Sequence, residues 1–168
     1  MACPSRRTWF VLGVTGVTGV AAVAAAAVLV VHESDAPAYA IEQAPHARSS
    51  ACTRIAKDYP AALEGHRRAE TGTPGVAVWG DEAVVLRCGL EPPAPTTDLC
   101  VSVNGVDWVY RQSQSRDGLK VVVTYGRTPA VEVTLSEQDT ALDSALVDVS
   151  RIVRPIRQQS HCVDSSGN

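Results

Sequence analysis

The side chains best equipped for recognition are Trp79, Arg87, Trp108, Tyr125 and Arg127, with Asp107 among them. They stand at turns or at the ends of apolar runs, where binding surfaces often form. An arginine stacked against a tryptophan can hold a carboxylate or phosphate in a bidentate fork. Such a site would suit a small anionic component of a cell envelope, or a peptide C-terminus. The plainer reading uses the same residues for structure: the tryptophans anchor a core, and the arginines pair with Asp81 and Asp107.

Catalysis has less to work with. The four histidines, His32, His46, His66 and His161, lie in flanking or loop segments, and none stands in a recognisable pairing with a serine or cysteine free to act as nucleophile. Neither GxSxG, HExxH nor a phosphate loop is present. Asp81 and Glu82 are adjacent, so on an extended backbone they face opposite ways and cannot flank one substrate as acid and base. A non-enzymatic role is expected, with no cofactor. Arg151, Arg154 and Arg157 recur at threes near a helix end, an arrangement that complements the helix dipole.

Cysteine use points to an oxidising compartment. Cys52, Cys88, Cys100 and Cys162 form an even set, and two disulfides are the expectation. Three pairings exist, of which Cys52 with Cys88 and Cys100 with Cys162 is favoured, because it ties an N-terminal helix to a strand and the C-terminal tail to the sheet. Loops this long give each bridge roughly 4 kcal/mol in the chain-entropy treatment. Zinc is not expected: no two cysteines are spaced as CxxC, and His161 directly beside Cys162 chelates poorly.

Residues 9–31 are a 23-residue stretch without a charge. As a helix it would reach about 35 Å, slightly more than the roughly 30 Å hydrocarbon core of a bilayer. Arg6 and Arg7 precede it and Glu33 and Asp35 follow, which orients the N-terminus to the cytoplasm. The expected plan is a cytoplasmic stub (1–8), a transmembrane signal-anchor (9–31), an extracytoplasmic tether (32–48), one disulfide-stabilised domain (49–162) and a disordered tail (163–168). Secretion after signal cleavage is the alternative, since Ala38-Tyr39-Ala40 has the small-x-small form of a cleavage site. With Arg6 and Arg7 removed, 13 basic residues face 18 acidic ones, about −5 overall. That balance argues against nucleic acid as a partner.

Periodicity shows the secondary structure on which these side chains are mounted. Ser49 or Ser50 can cap a helix carrying Ile55, Ala56, Tyr59 and Leu63, with Pro60 kinking or dividing it. Val76 and Val78, then Gly80-Asp81, then 84–88 read as a hairpin, while 91–98, holding three prolines, reads as a surface loop. Asn104-Gly105 between Val101, Val103 and Val106, Trp108, Tyr110 fits a type I′ turn. Two further β-branched runs, 119–125 and 131–135, flank Gly126-Arg127-Thr128-Pro129. Ser136 and Asp139 fit a capping arrangement for a helix of about 18 residues with Leu142, Ala145, Leu146, Val149, Ile152 and Val153 on one face. The sum is an α+β domain: an antiparallel sheet of five or six strands with two helices packed on one face, preceded by one N-terminal transmembrane helix.

Three segments carry a family likeness: Ala77-Val78-Trp79-Gly80-Asp81 running on to Leu86-Arg87-Cys88-Gly89, then Gly105-Val106-Asp107-Trp108, then Thr124-Tyr125-Gly126-Arg127-Thr128-Pro129. With Cys52, Tyr59-Pro60 and Arg67-Arg68, they resemble the actinobacterial family called domain of unknown function 3515 over about residues 52–153. The resemblance implies a small membrane-anchored or secreted envelope protein and brings no activity with it. Cys3 and the polar tail after Pro155 fall outside the pattern. The functional expectation is therefore a non-catalytic interaction module in the cell envelope, binding an envelope protein or an anionic wall component. Its alternative is a ligand-binding domain for a small anionic component, using Arg87 and Arg127 with Trp79 and Trp108.

Overall fold

The computed structural model describes residues 39–163, a mostly β domain. One eight-stranded sheet, antiparallel throughout, runs in the order β1-β2-β3-β4-β8-β7-β6-β5. Its strands are β1 (Ala62–Leu63), β2 (His66–Ala69), β3 (Val76–Trp79), β4 (Val84–Leu90), β5 (Cys100–Val103), β6 (Val106–Tyr110), β7 (Leu119–Thr124) and β8 (Ala130–Ser136). Two short helices accompany them, α1 (Ser50–Ile55) and α2 (Leu142–Val153).

This corrects the expected α+β fold with five or six strands. The strands not anticipated are β1 and β2, whose residues carry no apolar alternation. Pro60 stops the first helix early, and Glu64-Gly65, both at positive φ (49° and 81°), turn the chain back on itself. The resulting strand is recruited by pairing with β3, where Arg68 lies opposite Trp79. Tertiary pairing thus overrides local preference. Helix α2 is also shorter than expected, at 12 residues. Ser136 ends β8 and bonds Asp139 at 2.6 Å within a turn, so the pair closes a loop ahead of the helix and Ala141 takes the N-cap position. The stub (1–8), the anchor (9–31), residues 32–38 and residues 164–168 lie outside the described residues. Among the described residues, no helix is long and apolar enough to cross a membrane.

Alternation along the strands sends two sets of side chains to opposite faces. One face carries Leu86, Cys88, Val106, Trp108, Val131 and Val133, which pack with Cys52 and Ile55 of α1 and with Leu146, Val149 and Val153 of α2 in the main core. The other face is covered by irregular chain and by the end of β4. Tyr39 and Ile41 lie over Val76, Val78 and Val85, while Leu90 and Tyr125 lie over Val109, Val123 and Ala130. Central strands buried on both sides explain the near-continuous apolar runs in β3 and β4.

Residues 39–48, expected as a tether, form a strap on the sheet. Ala44 and Ala47 are buried, and the His46 N–H donates to the Gly89 carbonyl at 2.8 Å. Gly89, at φ 112°, permits this approach: a Cβ there would lie 2.2 Å from the Ala47 nitrogen. The favoured disulfides are both formed, Cys52–Cys88 and Cys100–Cys162, with Cα separations of 5.6 and 6.2 Å.

The link from β4 to β5 is the longest crossing in the sheet. It leaves the middle and re-enters at the far edge, passing β8, β7 and β6. Four strand spacings amount to about 19 Å, while the segment from Leu90 to Cys100 in a proline-stiffened extended form reaches about 30 Å. On its way Pro92, Pro93 and Pro95 run beside Tyr125, Gly126 and Thr128 at the β7–β8 turn.

Candidate functional site

The six side chains singled out for recognition do not assemble into one site. Trp79 and Trp108 are fully buried, and each indole N–H is used inside the protein. Trp79 donates to the Pro60 carbonyl at 3.0 Å, with Tyr59 edge-on to its ring at 5.9 Å. Trp108 donates to Ser150 Oγ at 2.9 Å, which fastens β6 to α2. Neither ring has a face left for an arginine or a ligand.

Arg87 lies across from Glu132 on the neighbouring strand and bonds it at 3.0 Å. Its Nε donates to the Glu42 carbonyl at 3.2 Å, so the side chain holds the strap to the sheet. Asp81 is not its partner.

Arg127 is 2% exposed and works as a clamp on the C-terminal segment. Nη2 donates to the Gly105 carbonyl and to Gln158 Oε1, each at 2.8 Å. Nη1 donates to the Ile156 carbonyl and, at 3.2 Å, to the Arg154 carbonyl. Arg154 is the C-cap of α2, so the guanidinium also sits where the helix dipole favours a cation. Burial lowers the Arg127 pKa from its usual value, and the Asp107 charge opposes that shift. Its Nε is buried without a partner among the described residues.

Asp107 does not touch Arg127 directly. Gln158 stands between them, accepting from Arg127 and donating through Nε2 to Asp107 Oδ2 at 2.7 Å. Asp107 Oδ2 also accepts from the backbone N–H of Cys162 at 2.9 Å. Burial alone would raise its pKa. The Cys162 N–H, the Ser102 hydroxyl, the Gln158 amide and the His161 ring outweigh that and hold the carboxyl below its usual value. His161 Nδ1 is 3.4 Å from Asp107 Oδ2 and 2.9 Å from Gln158 Nε2. Arg127, Gln158, Asp107 and the Cys100–Cys162 bridge therefore form one clasp that lays residues 156–162 against the sheet.

Tyr125 belongs to a different feature, an open groove of about 660 Å³. Its walls are the end of the proline-rich link, including Pro95, Asp98 and Leu99, and the C-terminal segment at His161 and Val163, with Val109 and Tyr125 between them. Leu99 is 67% exposed and Val163 86%, an unusual display for apolar side chains on a small domain. Asp98 has no ion-pair partner among the described residues. Among the described residues, no group of three or more His, Cys, Asp or Glu side chains is placed to hold a metal ion.

Sequence reasoning missed Gln158, Leu99 and Val163. Gln158 sits in a polar tail with no periodicity, and its role depends on a fold-back over 51 residues to Asp107. Leu99 carried a usable signal, an apolar residue directly after a proline-rich loop, but nothing local marks its exposure.

Comparison with known proteins gives one result. No curated protein and no solved structure matches the chain. A family model described as "Protein of unknown function (DUF3515)" matches residues 10–161, spanning the first disulfide, the Arg127 clamp up to His161 and most of the groove. The chain belongs to the DUF3515 family.

Proposed function

We propose that this chain is a non-catalytic interaction module of the cell envelope, engaging a partner protein through the groove between the proline-rich link and the C-terminal segment. The observation that carries the reading is the groove itself: about 660 Å³, open, and bordered by the exposed Leu99 and Val163. Apolar side chains left in water at a concave surface favour a partner that covers them. Two disulfides in one small domain support work outside the cytoplasm, where such bonds persist. A small anionic ligand held by Arg87 and Arg127 has less to recommend it, because both guanidinium groups already serve carbonyl or carboxylate acceptors of the protein.

The test is photo-crosslinking in living cells, with benzoylphenylalanine placed at Leu99, at Val163 and, as a control, at the exposed Lys57. One partner captured from both groove positions and not from Lys57 supports the reading. The same products from all three positions, or none from the groove, would sink it.

A further inference from the structure

The strand β5 forms one border of the sheet, and its hydrogen-bonding register shows which of its backbone groups remain free. In the β5–β6 hairpin Val103 faces Val106 across the two-residue Asn104-Gly105 turn, and Val101 faces Trp108. The Tyr110 N–H donates to the Leu99 carbonyl at 2.8 Å, so the odd-numbered residues 99, 101 and 103 turn their N–H and C=O groups toward β6. Cys100 and Ser102 turn theirs outward, where no backbone partner exists among the described residues.

The two borders of the sheet are not treated alike. The β1 border is two residues long and is followed by Glu64, with Arg67 and Arg68 on the adjoining strand, a short and charged edge of the kind that discourages pairing. Residues 99–106 carry no charge, and Val101 is 40% exposed. No bulge, proline or lysine blunts this border. Directly along it lies the groove, which Cys100 and Asp98 both line.

We infer that the free border of β5 receives an extended peptide segment of a partner protein as a ninth strand, its alternate apolar side chains entering the groove. This rests on the partner-binding reading above and adds how the partner is held. Main-chain bonds to Cys100 and Ser102 supply attachment, and the groove beside them supplies side-chain selection. Asp98, at the groove with no ion-pair partner among the described residues and in a domain of about −2 charge (15 acidic against 13 basic residues over 39–163), selects a basic residue next to the apolar alternation. A second copy of this chain fits less well. The β5 residues it would turn toward the groove are Cys100, tied to Cys162, and the small Ser102, which leave most of the volume unfilled.

The probe is a displayed library of random dodecapeptides selected on the purified full-length chain with its disulfides intact. Recovered peptides should alternate apolar residues over four or more positions, lack proline within that stretch and carry a flanking Lys or Arg. Ser102→Pro removes one outward N–H and the Ser102 hydroxyl that serves Asp107, while leaving the main-chain bonds to β6 in place, a substitution that border strands tolerate. It should weaken the selected peptides at least about tenfold, as expected for loss of a main-chain bond with the crowding of the ring. A second measurement does not depend on how that variant folds: N-methylating alternate peptide bonds of a selected peptide should weaken binding to the parent chain by a similar factor. Bound peptide should also slow exchange of the Cys100 and Ser102 amides. Peptides indifferent both to Ser102→Pro and to N-methylation overturn strand addition and leave the interaction module standing, whereas failure of the crosslinks in cells strikes the module itself. A concentration-dependent dimer that Ser102→Pro abolishes, or recovery of no responsive peptide, also overturns the inference.

Discussion

Replacing Arg127 with alanine distinguishes a clamp from a ligand-binding arginine. The substitution removes the donors to three carbonyls and one side-chain amide. Arg154 and Gly105 are exposed residues, so water can reach their carbonyls and each loss stays near the lower end of the usual range, about 1 kcal/mol. Ile156 is buried at 3% exposure, and its carbonyl incurs about 2–3 kcal/mol when left without a donor. The total is about 4–5 kcal/mol, a large part of the stability of a domain this size. At roughly 3 °C per kcal/mol for a chain of this length, the melting temperature should fall by about 12–15 °C. Denaturant titration at neutral pH with disulfides intact, supported by calorimetry, measures this directly. Arg127→Lys keeps the charge but not the fork, and should lose about half as much. A loss below about 1 kcal/mol for Arg127→Ala would refute the clamp. So would a variant that keeps its stability and loses binding of an anionic ligand.

Other expectations come from neighbouring features. The Asp107 carboxyl titrates below its unfolded value of about 3.9, so its contribution is complete above that value and is lost as pH falls through the folded one. Asp107→Asn should therefore flatten the decline in stability between pH 6 and pH 3, and parallel curves for parent and variant would contradict this. Two glycines separate crowding from conformation. Gly89→Ala, with its Cβ 2.2 Å from the Ala47 nitrogen, should cost about 3 kcal/mol or more in denaturant unfolding, whereas Gly105→Ala at φ 75° meets nothing within 4 Å and should cost about 1–2 kcal/mol. Equal losses would show that the strap does not press on Gly89. Cys52 and Cys88 are fully buried whereas Cys100 and Cys162 are partly exposed, so mild thiol should open only the second bridge, as read by alkylation and peptide mass.

The hairpins are legible in the sequence because their turns are chemically specified. Asn104 and Gly105 adopt φ of 49° and 75°, as a type I′ turn requires, and the valine runs on either side of Gly80-Asp81 and of 126–129 form β3, β4, β7 and β8. The β1–β2 hairpin is not legible, because His66-Arg67-Arg68-Ala69 has no apolar period and becomes a strand only by pairing with β3. The strap resembles a tether for a related reason: Tyr39, Ile41, Ala44 and Ala47 are spaced to suit a surface already formed, not a helix or strand of their own. At the candidate site, residue types are informative and their partners are not. The guanidinium of Arg127 announces a hydrogen-bonding role, but its acceptors are mostly backbone carbonyls, which no sequence displays. The groove arises where the ends of two distant segments meet, and only the fold brings Leu99 and Val163 together.

The two disulfides also determine how the molecule responds to mechanical load. A pull between residue 39 and residue 163 cannot lengthen the loop closed by Cys52–Cys88 or the one closed by Cys100–Cys162. Tension bypasses nearly all of the sheet and travels from the strap through the first bridge, along residues 88–100, and through the second. Fully drawn out, that route is about 100 Å including the two bridge crossings, against about 430 Å for the reduced chain. Its middle stretch is the proline-rich link that walls the groove, so force applied at the ends is delivered to the groove before any of the remaining strands can unravel.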